Sequence, residues 1–310
     1  MKAVQIHQFG GLDELKYEEA PKPVIAPDEV LIKVFASGVN PIDWKVRKGY
    51  MKDRVSYTFP LIPGWDVSGQ VEEVGKHVKQ FKIGDEVYGR PDTTRNGSYA
   101  EYIAVRESEL SYKPKSIDHV HSAAVPLAGL TAWQGLIEHG KLQQAQKVLI
   151  QGGSGGVGTY AVQIAKWKGA KVFATASEKN TEFLKELGAD QVIDYHKTDL
   201  ESKLHDIDVV FDLIGGDTQL KLAKTLKKNG ILVSTVGITN QDAIKQMGIY
   251  GVSYMAKSTP SDLQQLASLI DQGKLKPIVS KVFPLKNAKE AQELSEEGHT
   301  KGKIVLKIAE

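Results

Sequence analysis

The sequence predicts an α/β chain in which a doubly wound parallel sheet is joined to a separate, mostly-β domain. Three features carry this reading. Through the middle of the chain, short apolar strands alternate with helical patterns, the signature of βαβ units and a parallel sheet. Before residue 110 the apolar runs are strand-length and separated by turn signals, and after about Ser258 a helix gives way to short strands again. At 310 residues the chain is long for one ordinary domain and suits two.

In the first part the candidate strands are Lys2–Gln5, Glu29–Ser37, Val67–Val74, Glu86–Gly89 and Ala100–Arg106, with Pro-Gly and Gly-Asp turns between several of them. The stretch between Asn40 and Pro63, which carries Trp44, Tyr50 and Tyr57, is less regular. A helical pattern then runs from Ala123 to about His139. Strand Lys147–Gln151, a glycine cluster and helix Gly156–Lys168 follow. Strand Lys171–Thr175, helix Thr181–Leu187 and strands Gln191–Asp194, Asp208–Leu213 and Gly230–Ser234 continue the alternation. Helix Asp262–Gln272 leads to strands Val279–Phe283 and Gly302–Ile308, which are expected to rejoin the first part. The expected division is therefore 1–122 for the first piece of the β domain, 123–258 for the parallel-sheet domain, and 259–310 for the return. No internal repeat or low-complexity segment interrupts it.

Composition excludes several classes of chemistry. The chain is 41% hydrophobic and 25% charged, and its 40 basic and 38 acidic residues are well mixed. No basic block points to nucleic acid, and no apolar run approaches the roughly 18 residues of a membrane span. The opening Met1-Lys2-Ala3-Val4-Gln5-Ile6 has no apolar leader segment and reads as a strand, so a cytoplasmic address is expected. There is no cysteine, which removes disulfides, thiolate nucleophiles, iron–sulfur clusters and cysteine-ligated zinc. The eight histidines form no HExxH or tight cluster, and a histidine-built metal site is not expected.

The strongest motif is Gly153-Ser154-Gly155-Gly156-Val157-Gly158, a GxGxxG that follows strand Lys147–Gln151 and opens a helix. In that setting it is the dinucleotide fingerprint of the Rossmann fold. Gly153 is expected to permit the tight turn, Gly155 to let backbone approach a pyrophosphate, and Gly158 to allow close helix–strand packing. The helix N-terminus offers N–H groups and a positive dipole end to the phosphates. No Gly-Lys-Ser/Thr follows, so a P-loop is excluded.

The second strand bears on which dinucleotide binds. A site for NAD normally carries an acid at that strand's end, about 20 residues on, to hold the ribose 2′-hydroxyl. Here the strand ends Ala174-Thr175-Ala176-Ser177, and Ser177 with Lys179 could receive a 2′-phosphate instead. The expected cofactor is NADP(H). Glu178 lies between the two, and a shift of one residue would set it at the ribose.

Further residues resemble a known family. Pro63-Gly64-Trp65-Asp66-Val67-Ser68-Gly69-Gln70-Val71, then Val74-Gly75 and Phe81-Lys82-Ile83-Gly84-Asp85-Glu86-Val87-Tyr88-Gly89, resemble the signature of the medium-chain dehydrogenase/reductases. Gly38-Val39-Asn40-Pro41-Ile42-Asp43 and Gly129-Leu130-Thr131-Ala132-Trp133 extend the likeness over essentially the whole chain. Zinc-dependent members carry a cysteine where Asn40 stands and a histidine where Trp65 stands, so the pattern resembles the zinc-free quinone-oxidoreductase branch, which includes alkenal and enone reductases. The resemblance implies a GroES-like β domain with a Rossmann domain, a small quinone or enone as substrate, and a homodimer.

Site residues follow. Beside the glycine loop, Tyr195 resembles the family tyrosine that contacts the 2′-phosphate or adenosine, and Lys303 a C-terminal cation near the cofactor phosphates. Thr131 is expected near the nicotinamide as a helix-start hydroxyl. Gly237 falls where backbone would pass close to the cofactor. For the substrate, Asn40 is a hydrogen-bond candidate at the vacated ligand position, and equally an asparagine that fixes its own loop. Tyr50 could donate to a carbonyl or stack, as could Tyr57. Asp43 is expected to organise the Asn40 loop, and Trp65 to plug the metal position. The expected activity is metal-free reduction of quinones by NADPH. Reduction of an alkenal or enone double bond, or NADPH binding without catalysis in a redox-responsive protein, are the alternatives.

Overall fold

The computed structural model describes residues 1–195, 197 and 200–309. They form two compact units. The first comprises Met1–Leu130, Ser258–Gly273 and the chain from Pro277 on, and the second comprises Thr131–Lys257 with Lys274–Lys276. Residues 123–130 thus lie in the first unit, and the helix Pro126–Trp133 runs across the change. The short return of Lys274–Lys276 has a local cause: Gln163 Nε2 donates to the Lys276 carbonyl at 3.0 Å, and the Lys276 N–H donates to Gln163 Oε1 at 2.8 Å.

In chain order the strands are β1 (Lys2–Gln5), β2 (Lys16–Glu19), β3 (Glu29–Val39), β4 (Val67–Val74), β5 (Glu86–Gly89), β6 (Tyr102–Arg106) and β7 (Leu110–Tyr112). Then come β8 (Lys147–Ile150), β9 (Lys171–Ala176), β10 (Gln191–Asp194), β11 (Ile207–Asp212), β12 (Leu226–Ser234) and β13 (Tyr250–Ser253). The last two are β14 (Val279–Pro284) and β15 (Lys303–Lys307).

In the first unit a seven-stranded sheet has the order β14-β15-β3-β4-β5-β7, with β6 also paired to β3. Strand β3 is nearly all buried because it is paired on both sides along its length. Its first half lies against β6, its second half against β15, and both halves against β4, each antiparallel. Val30, Ile32 and Val34 of β3 pack with Val67, Val71, Val87, Ile103 and Val105 in one apolar cluster. Each such side chain contributes about 1.5–3 kcal/mol on burial. The register Ile304↔Val39 sets the start of β15 against the end of β3.

The stretch expected to be irregular after Asn40 holds a helix, Pro41–Arg47. Proline at its first position has the right φ and no N–H to leave unpaired. The Asp43 carboxylate reaches back to the Asn40 N–H at 2.9 Å, the reciprocal half of a capping box. The helix is held to a second unanticipated one, Ala288–Glu297, by Arg47, whose Nε donates to Gln292 Oε1 at 2.8 Å.

In the second unit six strands, all parallel, have the order β10-β9-β8-β11-β12-β13. This is a doubly wound Rossmann sheet, with its topological switch between β8 and β11, where ligands bind at the carboxyl ends of the strands. The helix expected over Ala123–His139 is three pieces: His119–Ala123, Pro126–Trp133 and a π-helical Gln134–His139. Pro126 cannot continue a helix, since it lacks the N–H and its ring meets the carbonyl four residues back, but it can start one. No helix among the described residues is long and apolar enough to cross a membrane.

Candidate cofactor and substrate sites

The loop after β8 is laced to the second strand. The Gly152 N–H donates to Thr175 Oγ1 at 3.1 Å and the Gly153 N–H to the Thr175 carbonyl at 3.0 Å. The tight turn is carried by Gly152, whose φ is +74°, and not by Gly153 as expected. Gly153 is required for a different reason: a Cβ there would lie 2.9 Å from the Ala174 methyl. Gly158 admits helix–loop packing, since a Cβ would lie 2.2 Å from the Gly152 carbonyl oxygen. Gly155 differs from both. Its φ of −75° and ψ of 178° suit any residue, and the nearest protein atom to an added Cβ is 3.5 Å away. Among the described residues only the Gly152 carbonyl oxygen comes within ordinary contact of that face, at the N-terminus of the helix Gly156–Trp167, whose first turn includes Val157. A helix start with an unencumbered backbone is a fitting cradle for a pyrophosphate.

Asn180, which the sequence did not flag, binds the two serines expected at the cofactor. Its Nδ2 donates to Ser154 Oγ at 3.1 Å and to Ser177 Oγ at 3.3 Å. Lys179 is exposed, and Tyr195, just past β10, is 54% exposed. The Glu178 carboxylate is paired with Lys197 Nζ at 2.6 Å.

Across the switch point, Asp212 ends β11 fully buried and saturated. It accepts from the N–H groups of Ile214 and Gly215 at 3.0 and 2.8 Å, from Gln219 Nε2 at 2.7 Å and from Ser234 Oγ at 2.9 Å. Gln219 also donates to the Gly237 carbonyl at 2.5 Å, and Gly237 has a φ of +96°. These bonds shape the loops that carry the exposed Ile214 and Val236, the first of them beside Gly152 and the second beside Gly215. Apolar side chains left in water beside a phosphate cradle can support a flat ring. Thr131 lies inside the helix Pro126–Trp133 and not at a helix start, it is 7% exposed, and its carbonyl accepts from the Tyr254 hydroxyl.

In the first unit a buried polar cluster surrounds Asn40. Asn40 is 2% exposed, its Nδ2 donates to Asp66 Oδ2 at 2.8 Å, and its Oδ1 accepts from Lys303 Nζ. Lys303 is 4% exposed, donates to the Val39 carbonyl at 2.9 Å and lies 3.7 Å from Asp66. The register of β15 on β3 is what brings it there. Its ammonium is thus engaged within the first unit, with Val39, Asn40 and Asp66. Asn40 is likewise held at both ends of its amide, and one of the two Nδ2 hydrogens is committed to Asp66. Asp66, missed in the sequence, also accepts from the Leu127 N–H at 2.7 Å, and Asp43 accepts from the Tyr99 hydroxyl at 2.8 Å. Tyr50 is 65% exposed, with its ring edge-on to Trp44 at 6.1 Å, and it stands at the other end of the helix from Asn40. Trp65 is fully buried among Ile6, Val46 and Leu61, and its indole N–H donates to the Arg95 carbonyl at 3.1 Å. Among the described residues no three or more His, Asp or Glu side chains gather as a metal site.

Burial dominates the acids of this cluster. It raises the Asp43 carboxyl to about 7 and, against the pull of Lys303 and Asn40, the Asp66 carboxyl to about 6. It also pushes the Lys303 ammonium below its ordinary value. A carboxyl with a raised folded pKa holds more protons in the native than in the unfolded state, so stability falls as pH rises. For Asp43 that window runs from 3.8 to about 7. Denaturant midpoints are expected to decline across it, and Asp43→Asn to flatten the decline. An unchanged slope in Asp43→Asn would show that this carboxyl is ionised throughout.

Comparison with known proteins adds the following. The alcohol dehydrogenase GroES-like domain matches residues 26–115, and the zinc-binding dehydrogenase family matches residues 187–306. The chain is 35% identical to the mitochondrial NAD(P)H oxidoreductase RTN4IP1 of Danio rerio, over 100% of this chain and 92% of that one. It is 38% identical to the chloroplastic NADPH-dependent alkenal/one oxidoreductase of Arabidopsis thaliana, over 99% of this chain and 79% of that one. The solved quinone oxidoreductase of Coxiella burnetii superposes with a TM-score of 0.92 at 37% identity, covering 99% of both chains.

Proposed function

We propose, for a chain that belongs to the medium-chain dehydrogenase/reductase superfamily and to its quinone-oxidoreductase branch, NADPH-dependent reduction of quinones by hydride transfer without a metal. Relatives named as oxidoreductases support the coarser reading, a nicotinamide-dependent oxidoreductase. The single observation that carries the finer one is the cradle at the switch point. Gly155 is left open at a helix start, with two serines held beside it by Asn180 and an exposed lysine at the strand tip.

NADPH bound there would supply the hydride. Gly156 and Val157 would hold the pyrophosphate by backbone N–H groups, with Gly155, whose own N–H donates to the Gly152 carbonyl, leaving room for its approach. Ser177, Lys179 and Tyr195 would hold the ribose phosphate. Ile214 and Val236 would give the ring apolar support, and the saturated Asp212 would keep their loops in one arrangement. A quinone spreads the arriving charge over its own π system, so it asks less of the protein than a saturated aldehyde does. Residues at the usual ligand positions fit this. Asn40 is committed to Asp66 and Lys303, and Trp65 fills its position with a buried ring. On this reading Asn40 acts as a positioning residue and Tyr50 is the candidate that meets the acceptor. A second reading, reduction of an alkenal or enone, is favoured by the Arabidopsis relative named for it.

Cofactor choice tests the reading. If Lys179 meets the 2′-phosphate through one charge-assisted bond, Lys179→Ala is expected to weaken NADPH by about 1.5–3 kcal/mol. That is roughly ten- to a hundredfold. NADH, lacking the phosphate, is expected to change little. Equal losses in titrations with both cofactors would remove Lys179 from the site.

A further inference from the structure

We propose that Lys197 is a second cation for the cofactor's 2′-phosphate and that Glu178 is its resident competitor, so that this pair sets how strongly the site prefers a phosphate over a hydroxyl. The inference rests on the reading above, that the tip of β9 meets the ribose end of NADPH.

Glu178 follows Ser177 directly past the end of β9, where an acid would hold the ribose diol of NAD. By itself such an acid repels a 2′-phosphate. Here the carboxylate is not bare, since Lys197 Nζ lies 2.6 Å from its Oε2. Strand register explains the meeting. β10 runs parallel to β9 with Asp194 beside Ala176, so the residues just past the two strand ends emerge side by side. Lys197 is thereby brought to the same tip as Ser177 and Lys179, although it lies 19 residues from Glu178 in sequence.

The pair is built to exchange. Its side chains are 63% and 73% exposed, and an ion pair so exposed contributes little net stability, so opening it costs little. It borders a recess of about 310 Å³ whose wall also includes Thr181, Asp194 and Lys203. A phosphate monoester, with charge near −1.5 to −2 and three acceptor oxygens, outbids a single carboxylate for the same ammonium. With NADPH, Lys197 would turn from Glu178 to the phosphate. With NADH nothing competes, and Glu178 keeps Lys197.

Dissociation constants for NADPH and NADH on the full chain at low salt test this, with Lys197→Ala, Glu178→Gln and the double variant. Lys197→Ala is expected to weaken NADPH about three- to tenfold and leave NADH nearly unchanged. Glu178→Gln is expected to tighten NADPH about two- to fivefold, and the double variant to fall between the two. All positions are exposed, so an unchanged far-ultraviolet spectrum is expected throughout. Equal effects of Lys197→Ala on both cofactors, no effect on either, or no tightening in Glu178→Gln would overturn the proposal. A wild-type chain that binds neither cofactor, or prefers NADH, would instead overturn the NADPH reading beneath it, and the first titration tells these apart.

Discussion

Gly155→Val is expected to lower NADPH affinity about a hundredfold or more while leaving the melting temperature nearly unchanged. The two halves of this result have separate causes. Valine is tolerated by the fold because Gly155 has an ordinary φ of −75° and its added Cβ meets no protein atom closer than 3.5 Å. It is not tolerated by the ligand, because the same open face is where backbone would approach a pyrophosphate. Two lost charge-assisted bonds at about 1.5–3 kcal/mol each give the hundredfold or more. Gly158→Val is the contrast, since its Cβ would sit 2.2 and 2.6 Å from the carbonyl oxygens of Gly152 and Gly153. It is expected to destabilise the second unit by about 1–3 kcal/mol or more. Parallel thermal unfolding and NADPH titration separate the two. Unchanged NADPH affinity in Gly155→Val would make the loop a turn and nothing else.

Lys303→Met is expected to cost about 3–5 kcal/mol of stability, the penalty for leaving one member of a buried ion pair without its partner. Asp66 would keep its bonds from Asn40 and Leu127 and lose the one nearby cation that β15 supplies. Adding Asp66→Asn to Lys303→Met removes the stranded charge, and part of the loss is expected to return. Chemical denaturation measures both. A loss under about 1 kcal/mol for Lys303→Met, the range of exposed pairs, would show that its ammonium is not held in the cluster.

The parts of the site that are legible in the sequence are local. The strand–glycine–helix signature needs only neighbouring residues, and the parallel sheet follows from alternation of strands with helices. Even there the positive φ belongs to Gly152, one residue ahead of the fingerprint, because the turn begins as β8 ends. The helix Pro41–Arg47 was also written locally, in Asn40, Pro41 and Asp43. At seven residues it is too short to show an amphipathic period, and its caps are the only signal. The Asn40 cluster lies beyond such reading. Lys303 and Asn40 are 263 residues apart and meet only through the register of β15 on β3. Asp66 gave no sign of its role, because a single acid in an apolar run can be an edge residue or a buried one. Glu178 was ambiguous for a similar reason: its meaning depends on Lys197, which a parallel pairing delivers.

Acceptor-dependent oxidation of NADPH by the purified full chain, followed by nicotinamide absorbance after exhaustive chelation, tests the central claim most directly. Phenanthrenequinone and a short alkenal serve as acceptors in the same assay. Turnover with the quinone, faster than with the alkenal and undiminished by the chelator, is the expected result. No oxidation with either acceptor, or activity lost on chelation and restored by zinc, would contradict it.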